Sequence, residues 1–177
     1  MKLAMVGLGR MGFNMTLRLL KGGHRVVACN RSPEPVRRAV KAGALGAATL
    51  EEAVSKLAKP RVVWLMLPAG APVQAAVLTL SNLLEPGDVV VDGGNSRFSD
   101  AAGHRLEFSK RGVAFLDAGV SGGVWGLKNG YCLMVGGEPK AFRKIEPALR
   151  TLAPKDGYAL VGPSGAGHYS KMVHNGI

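Results

Sequence analysis

Short runs of apolar residues alternate with longer segments in which apolar positions recur at helical spacing. The first run, residues 2–6, stops at Gly7 and predicts a strand, and residues 10–21 then show the spacing of an amphipathic helix. Residues 62–67 are apolar throughout, which is typical of a strand buried on both faces. The same patterns predict further strands at 25–29, 89–91, 113–117, 131–135 and 158–161, and further helices at 33–42, 51–58, 72–84, 99–111, 140–152 and from 164 onward.

This alternation predicts an α/β fold, Rossmann-like and doubly wound, with a mainly parallel sheet and helices on both faces. Parallel strands need crossover connections, and the predicted helices supply them. We expect residues 1–163 to form one domain. The last predicted helix runs to the final residue, Ile177. We therefore expect the chain to be a fragment of a longer protein.

Composition narrows the class of protein. Of 177 residues, 47% are apolar, which suits a packed core, and no apolar run reaches the roughly 18 residues that span a bilayer. The apolar N-terminal run is too short for a signal peptide, and two cysteines are too few for a disulfide framework or a cysteine-only zinc site. We expect a cytoplasmic enzyme or binding domain with no membrane contact and no metal.

Charge adds a preference for an anionic partner. The chain carries 23 Lys and Arg against 12 Asp and Glu, a net charge of +11. A solubilising surface would explain many of these cations equally well. Nucleic acid is a weaker interpretation, because there is no dense basic run and only 6% of the residues are aromatic. We therefore expect a small anionic ligand and no nucleic acid.

A glycine-rich loop follows the first predicted strand and opens the first predicted helix. Its sequence is Gly7-Leu8-Gly9-Arg10-Met11-Gly12, a GxGxxG pattern. Such glycines allow the tight turn, the approach of a pyrophosphate to the backbone, and close packing of helix on strand. The pattern alone is weak, but this context is the one that dinucleotide binding requires. The alternative is a glycine-rich turn without function.

The end of the second predicted strand bears on which dinucleotide binds. An NAD site places Asp or Glu there for the ribose 2′-hydroxyl. This chain has Asn30-Arg31-Ser32 instead, with a cation that can bind a 2′-phosphate and no carboxylate to repel one. We therefore expect NADP and consider NAD less favoured. Arg37 and Arg38 would add to the positive field, and the alternative for Arg31 is a surface cation.

Three polar or glycine-rich segments follow other predicted strands. Ligands in such sheets bind beyond the carboxyl ends of the strands. Leu67-Pro68-Ala69-Gly70 lies at one such strand end. Asn95, in Asp92-Gly93-Gly94-Asn95-Ser96, offers an amide that suits both a nicotinamide ribose and a polyol, although Asp92-Gly93 alone is typical of a simple turn. Ser121-Gly122-Gly123 could hold a carboxylate with its N–H groups and hydroxyl, or be a plain loop.

The last predicted helix carries the cluster of polar side chains that most clearly suggests a catalytic role. His168, Lys171, His174 and Asn175 fall on one helix face, and Lys171 is a candidate general base. An ordinary solvated face is the alternative.

Cys29 and Cys132 lie in apolar strands and are expected to be buried, and the methionines and Trp64 are assigned to the core.

Taken in order, these motifs resemble those of the 6-phosphogluconate dehydrogenases (decarboxylating). The resemblance spans the whole chain, and the DGGNS and KMVHNGI stretches are specific to that family. The motifs are Gly7–Gly12, Asn30-Arg31-Ser32, Leu67-Pro68-Ala69-Gly70, Asp92-Gly93-Gly94-Asn95-Ser96, Gly119-Val120-Ser121-Gly122-Gly123 and Lys171-Met172-Val173-His174-Asn175-Gly176-Ile177.

The resemblance implies the NADP-dependent oxidative decarboxylation of 6-phosphogluconate, an anionic sugar-acid phosphate, to ribulose 5-phosphate and CO2 in the pentose phosphate pathway. It implies that Lys171 takes the 3-hydroxyl proton and that Ser121, Gly122 and Gly123 hold the substrate carboxylate. By the same resemblance, His174 and Asn175 would bind substrate hydroxyls, and Asn95 would touch both cofactor and substrate. Leu67, Pro68 and Ala69 would line the nicotinamide half, and the triplet at 30–32 would bind the 2′-phosphate. The resemblance further implies that residues 164–177 are the start of a long helix that leads to an all-α C-terminal domain absent from this chain. It also implies that the full-length protein is a homo-oligomer, a dimer or tetramer.

The chain also departs from the family pattern. The family's proton-donating Glu follows the HNGI stretch and is absent here, so we expect this chain to bind cofactor but to turn over poorly alone. Ser32 stands where Thr is usual, and the compact spacing matches members of which some prefer NAD. A β-hydroxyacid dehydrogenase or imine reductase relative, acting on a small unphosphorylated substrate, is an alternative, as is a non-catalytic NADP-binding module.

Overall fold

The structure is a computed structural model that describes residues 1–176, apart from the side chain of Val124. Its eight strands are β1 (Lys2–Val6), β2 (Arg25–Cys29), β3 (Leu45–Ala47), β4 (Val62–Leu65), β5 (Val89–Asp92), β6 (Ala114–Ser121), β7 (Cys132–Gly137) and β8 (Tyr158–Gly162). Its helices are α1 (Arg10–Lys21), α2 (Pro33–Lys41), α3 (Leu50–Ser55), α4 (Ala71–Leu83), α5 (Ala101–Ser109), α6 (Gly126–Asn129), α7 (Pro139–Leu152) and α8 (Ala166–Gly176). Ile177, the last residue of the predicted final helix, lies outside the described residues.

All eight strands belong to one sheet, in the order β3-β2-β1-β4-β5-β6-β7-β8. The pairs from β3 to β6 are parallel, β7 is antiparallel to β6, and β8 is parallel to β7. The order reverses between β1 and β4, which is the switch point where doubly wound sheets bind ligands. The predicted Rossmann-like, mainly parallel α/β fold is confirmed.

Each face of the sheet is covered by helices, because successive residues of a strand point to opposite sides. Leu3 and Met5 of β1 pack into one core with residues of α1, α2 and α7. Ala4 and Val6 pack into a second core with residues of α3, α4 and α5. The two cores fix the strands from both sides and so hold their carboxyl ends in place.

Two short elements were not predicted, and one strand has an orientation that the pattern did not reveal. Leu45–Ala47 and Gly126–Asn129 are too short to show a period. β7 runs antiparallel because residues 122–131, which join it to β6, contain only two short helical turns, the 3-10 turn Gly123–Trp125 and the one-turn α6. A parallel return needs a crossover of about a dozen residues or more.

The expectation that both cysteines are buried is half wrong. Cys29 is buried, but Cys132 is exposed at the start of β7, where Tyr131 and Leu133 take the inward positions. The period of two along the strand therefore turns Cys132 outward. The core assignment holds for Trp64 and fails for Met172, which is half exposed on α8.

Candidate functional site

A cavity of about 980 Å³ runs along the carboxyl ends of the strands on both sides of the switch between β1 and β4. Cavities of this size and position are the usual ligand sites of doubly wound sheets. Its lining includes most of the residues that the sequence singled out: Gly7, Gly9, Arg10, Met11, Gly12, Asn30, Arg31, Ser32, Leu67, Pro68, Asn95, Ser121, Gly122, Gly123, Lys171 and Asn175.

Three predicted site residues do not line this cavity. Leu8 is buried in the core beneath the loop, and Ala69 is exposed beyond the end of β4. His174 is exposed on α8, one residue from Asn175, which does line the cavity. Adjacent helical residues point about 100° apart, so a helix that presents Lys171 and Asn175 to the cavity turns His174 aside.

The loop at residues 7–12, called the phosphate loop from here on, contains three glycines that serve different purposes. Gly7 has φ +93°, and a Cβ there would lie 2.4 Å from the carbonyl oxygen of Met66. A Cβ at Gly12 would lie 2.0 Å from the carbonyl oxygen of Gly7, so both glycines are required by packing. A Cβ at Gly9 would meet nothing within 4 Å. Gly9 faces the open cavity, and the fold itself leaves room there for a larger residue.

The N-terminus of α1 is open to an anionic ligand. Its N-cap is Gly9, which has no side chain that could cap the helix, and the first turn carries no acidic residue. The unpaired N–H groups of such a terminus, together with the helix dipole, bind phosphate. This arrangement fits the pyrophosphate of a dinucleotide.

Asn30, at the end of β2, is tied to the phosphate loop. Its Oδ1 accepts the N–H of Leu8 at 2.9 Å, and its Nδ2 donates to the carbonyl oxygen of Ser32 at 3.2 Å. The side chain therefore sets the spacing between the loop and the next residues of the chain. The sequence argument assigned Asn30 to the cofactor phosphate and did not include this supporting contact.

The arginines near the phosphate loop and the end of β2 differ in whether they already contact another side chain. Arg37 pairs with Glu34 at 2.6 Å, and the guanidinium of Arg38 lies 4.5 Å from the ring centre of Phe13. Arg31 and Arg10 are exposed, line the cavity, and have no carboxylate within 4.0 Å among residues 1–176. These two are the cations that an anionic ligand can engage most easily.

Ser32 occupies the N-cap position of α2, with Pro33 as the first helical residue. Its side chain makes no cap hydrogen bond to the helix. The hydroxyl lies in the cavity lining beside Arg31 and is available to a ligand. It can donate a hydrogen bond to a phosphate oxygen.

One wall of the cavity was missed by sequence reasoning. It consists of Ala48, Thr49 and Leu50 at the start of α3 and of Pro72, Ala75, Ala76 and Thr79 on α4. Thr49 accepts the N–H of Glu52 at 3.2 Å, and Glu52 accepts the N–H of Ala48 at 2.7 Å. Thr49 thus caps α3 as in a capping box, while Glu52 reaches back to the residue before the cap. The Thr-x-x-Glu spacing was the signal that could have located this helix start. The wall is mostly apolar and suits a flat ring.

The turn after β5 is packed tightly and presents Asn95 to the cavity. A Cβ at Gly93 would lie 2.4 Å from Nε1 of Trp64, and one at Gly94 would lie 2.4 Å from the carbonyl oxygen of Leu67. The fully buried Asp92 accepts the N–H of Gly94 at 3.0 Å. Packing alone therefore excludes a side chain at either glycine, and both glycines also line the cavity.

The helix α8 brings Lys171 into the same cavity as the phosphate loop. A Cβ at Gly119 would lie 2.5 Å from Cβ of Lys171, so the helix crosses β6 in direct contact. Lys171 is half-buried and shares the lining with Ser121–Gly123 and Asn175. A single cavity therefore holds a dinucleotide loop, an amine and a glycine-rich loop able to bind an anion.

The cavity wall also contains a neutral thiol. Burial raises the pKa of Cys29 to about 11, and the nearby carboxylates of Glu52 and Glu51 act in the same direction.

Within residues 1–176 no group of three or more His, Cys, Asp or Glu side chains could hold a metal ion. No described helix is both long and apolar enough to cross a lipid bilayer.

Comparisons with known proteins agree on the family. Residues 2–162 match the NAD binding domain of 6-phosphogluconate dehydrogenase. The chain is 44% identical over 178 residues to the NAD(+)-dependent, decarboxylating 6-phosphogluconate dehydrogenase of Haloferax volcanii, covering all of this chain and 58% of that protein. It spans between 36% and 59% of the length of the curated relatives it matches.

Two solved structures are also similar. Plasmodium falciparum 6-phosphogluconate dehydrogenase, solved in its apo form, with NADP+ and with its substrate, has a TM-score of 0.91 at 31% identity, covering 99% of this chain and 40% of that one. Mycobacterium tuberculosis 3-hydroxyisobutyrate dehydrogenase has a TM-score of 0.90 at 30% identity, covering 98% and 58%. With the family match over residues 2–162, they show that this chain belongs to the NAD(P)-binding domains of the 6-phosphogluconate dehydrogenase family of oxidoreductases.

Proposed function

We propose that this chain binds NADP(H) and supplies the base for the oxidative decarboxylation of 6-phosphogluconate to ribulose 5-phosphate and CO2. The observation that carries the proposal is the shared cavity, in which Lys171 and the Ser121–Gly123 loop lie with the open N-terminus of α1. Because the chain spans only part of its relatives, the complete activity is proposed for the longer protein, with α8 leading into a helical second domain and a homo-oligomeric assembly.

The residues around the cavity fit a dinucleotide. Gly9 leaves open space at the N-terminus of α1, and the apolar wall on α3 and α4 suits the adenine ring. NADP is favoured over NAD because Arg31, just after β2, has no carboxylate within 4.0 Å among residues 1–176, and Ser32 beside it offers a hydroxyl. The names of the relatives include both cofactors, so this preference is argued from the residues alone.

In the proposed mechanism the substrate carboxylate lies against the N–H groups of Ser121–Gly123. Asn95 and Asn175 hold its hydroxyls, and the amine of Lys171 takes the proton from the 3-hydroxyl. The bound nicotinamide supplies the hydride acceptor for C3, which becomes a ketone. The C1–C2 bond then breaks, CO2 leaves, and the electron pair forms an enediolate whose oxygen regains the proton from Lys171. A proton from solvent then adds to the former C2, which is C1 of the product, while the amine of Lys171 takes back the proton of the enediol hydroxyl. This gives ribulose 5-phosphate.

The proposal is tested with the chain in excess over NADP+, so that even slow hydride transfer gives a signal at 340 nm. We expect 6-phosphogluconate to shift the backbone amide resonances of Ser121–Gly123 and to give reduced cofactor together with CO2. Lys171→Ala should abolish reduction while NADPH affinity stays within about twofold, and Lys140→Ala, on the exposed face of α7, is the matched control. Failure of 6-phosphogluconate to perturb these amides would contradict the proposal.

A second candidate is a dehydrogenase for a small β-hydroxyacid. It is favoured by the 3-hydroxyisobutyrate dehydrogenase from Mycobacterium tuberculosis, which matches the fold at 30% identity. The same assay separates the two, because 3-hydroxyisobutyrate would then reduce the cofactor faster than 6-phosphogluconate. It would also release no CO2.

A further inference from the structure

Asp117, on β6, is a fully buried carboxylate that the proposed mechanism does not use. Its Oδ1 accepts the N–H of Gly165 at 2.6 Å, and its Oδ2 accepts the N–H of His168 at 2.8 Å. Both donors lie at the N-terminus of α8, where the helix dipole favours a negative charge. Bonds from backbone N–H groups to an ionised carboxylate are among the stronger hydrogen bonds in proteins.

The surrounding backbone packs closely around Asp117. A Cβ at Gly136 would lie 2.6 Å from Oδ1 of Asp117, and one at Gly167 would lie 2.6 Å from its carbonyl oxygen. The first turn of α8 therefore rests directly on β6 and β7. Further along the helix, the same close contact recurs between Lys171 and Gly119.

His168 provides a second link from the same turn. It is buried, and its Nε2 lies 3.1 Å from the carbonyl oxygen of Asp92, to which it donates. Asp92 ends β5 and begins the turn that presents Asn95 to the cavity. The N-terminal turn of α8 is thus attached both to β6, through Asp117, and to the end of β5, through His168.

We infer that Asp117 is a positioning residue for Lys171, an inference that rests on the proposed role of Lys171 as the base. Lys171 lies one helical turn beyond His168, so a fixed first turn holds its amine beside Ser121–Gly123. Without the carboxylate, both N–H groups lose an acceptor in a place that water cannot easily reach. The start of α8 would then separate from the sheet and carry Lys171 away from the glycine-rich loop.

The test compares the wild-type chain with Asp117→Asn, which keeps the size of the side chain. The amide oxygen of the new side chain can accept from only one of the two N–H groups, those of Gly165 and His168. The amide nitrogen, itself a donor, faces the other. We measure the rate of reductive methylation of Lys171 relative to Lys140, together with amide hydrogen exchange over residues 163–176. Both rates should rise about tenfold or more, as expected for losing one charge-assisted bond. Exchange in β1 and β2 should stay unchanged.

Gly119→Ala displaces Lys171 while it keeps the carboxylate of Asp117. Its new methyl group would meet Cβ of Lys171 and the carbonyl oxygen of Gly167, so the relative methylation rate should change. The N–H group of Gly165, which bonds Oδ1 of Asp117, should stay protected. Asp156→Asn and Gly103→Ala are the matched controls, since Asp156 is an exposed aspartate and a Cβ at Gly103 meets nothing within 4 Å. A folded Asp117→Asn chain with the wild-type Lys171 rate would overturn the inference.

A measurement on the wild-type chain covers the case in which Asp117→Asn does not fold. The N–H groups of Gly165 and His168 should exchange as slowly as those of β6, and exchange as fast as the exposed end of α8 would overturn the inference. None of these rates needs a ligand or turnover. A parallel NADPH titration therefore separates failure of the proposed function from failure of the positioning role.

Discussion

The side-chain oxygen of Asn30 accepts a hydrogen bond from the backbone N–H of Leu8 across 2.9 Å. This bond joins the end of β2 to the phosphate loop after β1, so the two parts of the proposed cofactor site support each other. The residue that replaces the usual acidic ribose ligand is therefore also a structural part of the loop. Its two functions can be separated by substitution.

Asn30→Ala should weaken NADPH and NADH to a similar degree. It removes the acceptor for Leu8, so the loop loses a hydrogen bond worth about 0.5–1.5 kcal/mol. Asn30→Asp keeps an acceptor for Leu8 but places a carboxylate beside the position proposed for the 2′-phosphate. It should weaken NADPH by about tenfold or more and spare NADH. Calorimetric titration with each cofactor checks this, and equal losses for both cofactors in Asn30→Asp would contradict it.

Gly9→Ala and Gly12→Ala should have opposite consequences for stability and binding. A Cβ at Gly9 meets nothing within 4 Å, so the free energy of unfolding should change by about 1 kcal/mol or less. Cofactor binding should nevertheless be lost, because the methyl group lies where the pyrophosphate approaches. Gly12→Ala meets the carbonyl oxygen of Gly7 at 2.0 Å and should destabilise the fold by at least about 1–3 kcal/mol.

Urea unfolding and NADPH titration of the same samples check the pair. Gly103→Ala controls for the general effect of replacing a helical glycine with alanine, since a Cβ at Gly103 also meets nothing within 4 Å. A Gly9→Ala chain that binds NADPH normally would show that the pyrophosphate does not lie over this residue.

The two cysteines should react with dithionitrobenzoate at very different rates. Burial raises the pKa of Cys29 to about 11, so at pH 8 only about one in a thousand of its thiols is the reactive thiolate. Cys132 is exposed and should give one fast equivalent of product. Cys132→Ser should remove that fast phase, whereas two equal phases in the wild-type chain would contradict the burial of Cys29.

His24 should make the fold less stable in mild acid. Its pKa is lowered by burial and by the charge of the amino terminus, while its Nε2 lies 2.7 Å from Oγ1 of Thr151. The unfolded chain binds this proton near pH 6.5, above the folded pKa, so stability falls as the pH drops below 6.5. His24→Gln should lose less Tm than the wild-type chain between pH 7 and pH 5. The same loss in both would contradict this.

Much of the fold could be predicted because its strands are buried on both faces and its helices have clear periods. Residues 2–6, 10–21 and 25–29 were predicted with the bounds that the structure shows. Leu45–Ala47 was missed because three residues with a central glycine show no alternation. The exposure of Cys132 was missed because it depends on which face of β7 meets the core, and tertiary packing decides that.

The site was predictable where a motif corresponds to backbone geometry. Gly7, Gly9 and Gly12 follow a strand and open a helix, and all three line the cavity. The cavity wall formed by α3 and α4 was missed because Ala75 and Thr79 are ordinary helix residues that line a cavity only in the folded chain. The bonds of Asp117 to Gly165 and His168 join residues far apart in the chain, which no local pattern reveals.

The central claim is that this cavity binds NADP(H) through the end of β2, and calorimetric titration with NADPH and NADH in low-phosphate buffer tests it most directly. We predict clear preference for NADPH in the wild-type chain. Arg31→Ala should lose about tenfold or more of that affinity while NADH binding is unchanged. Arg25→Ala, at the opposite end of the same strand, should behave like wild type. Equal affinity for both cofactors, or full NADPH affinity in Arg31→Ala, would contradict the account.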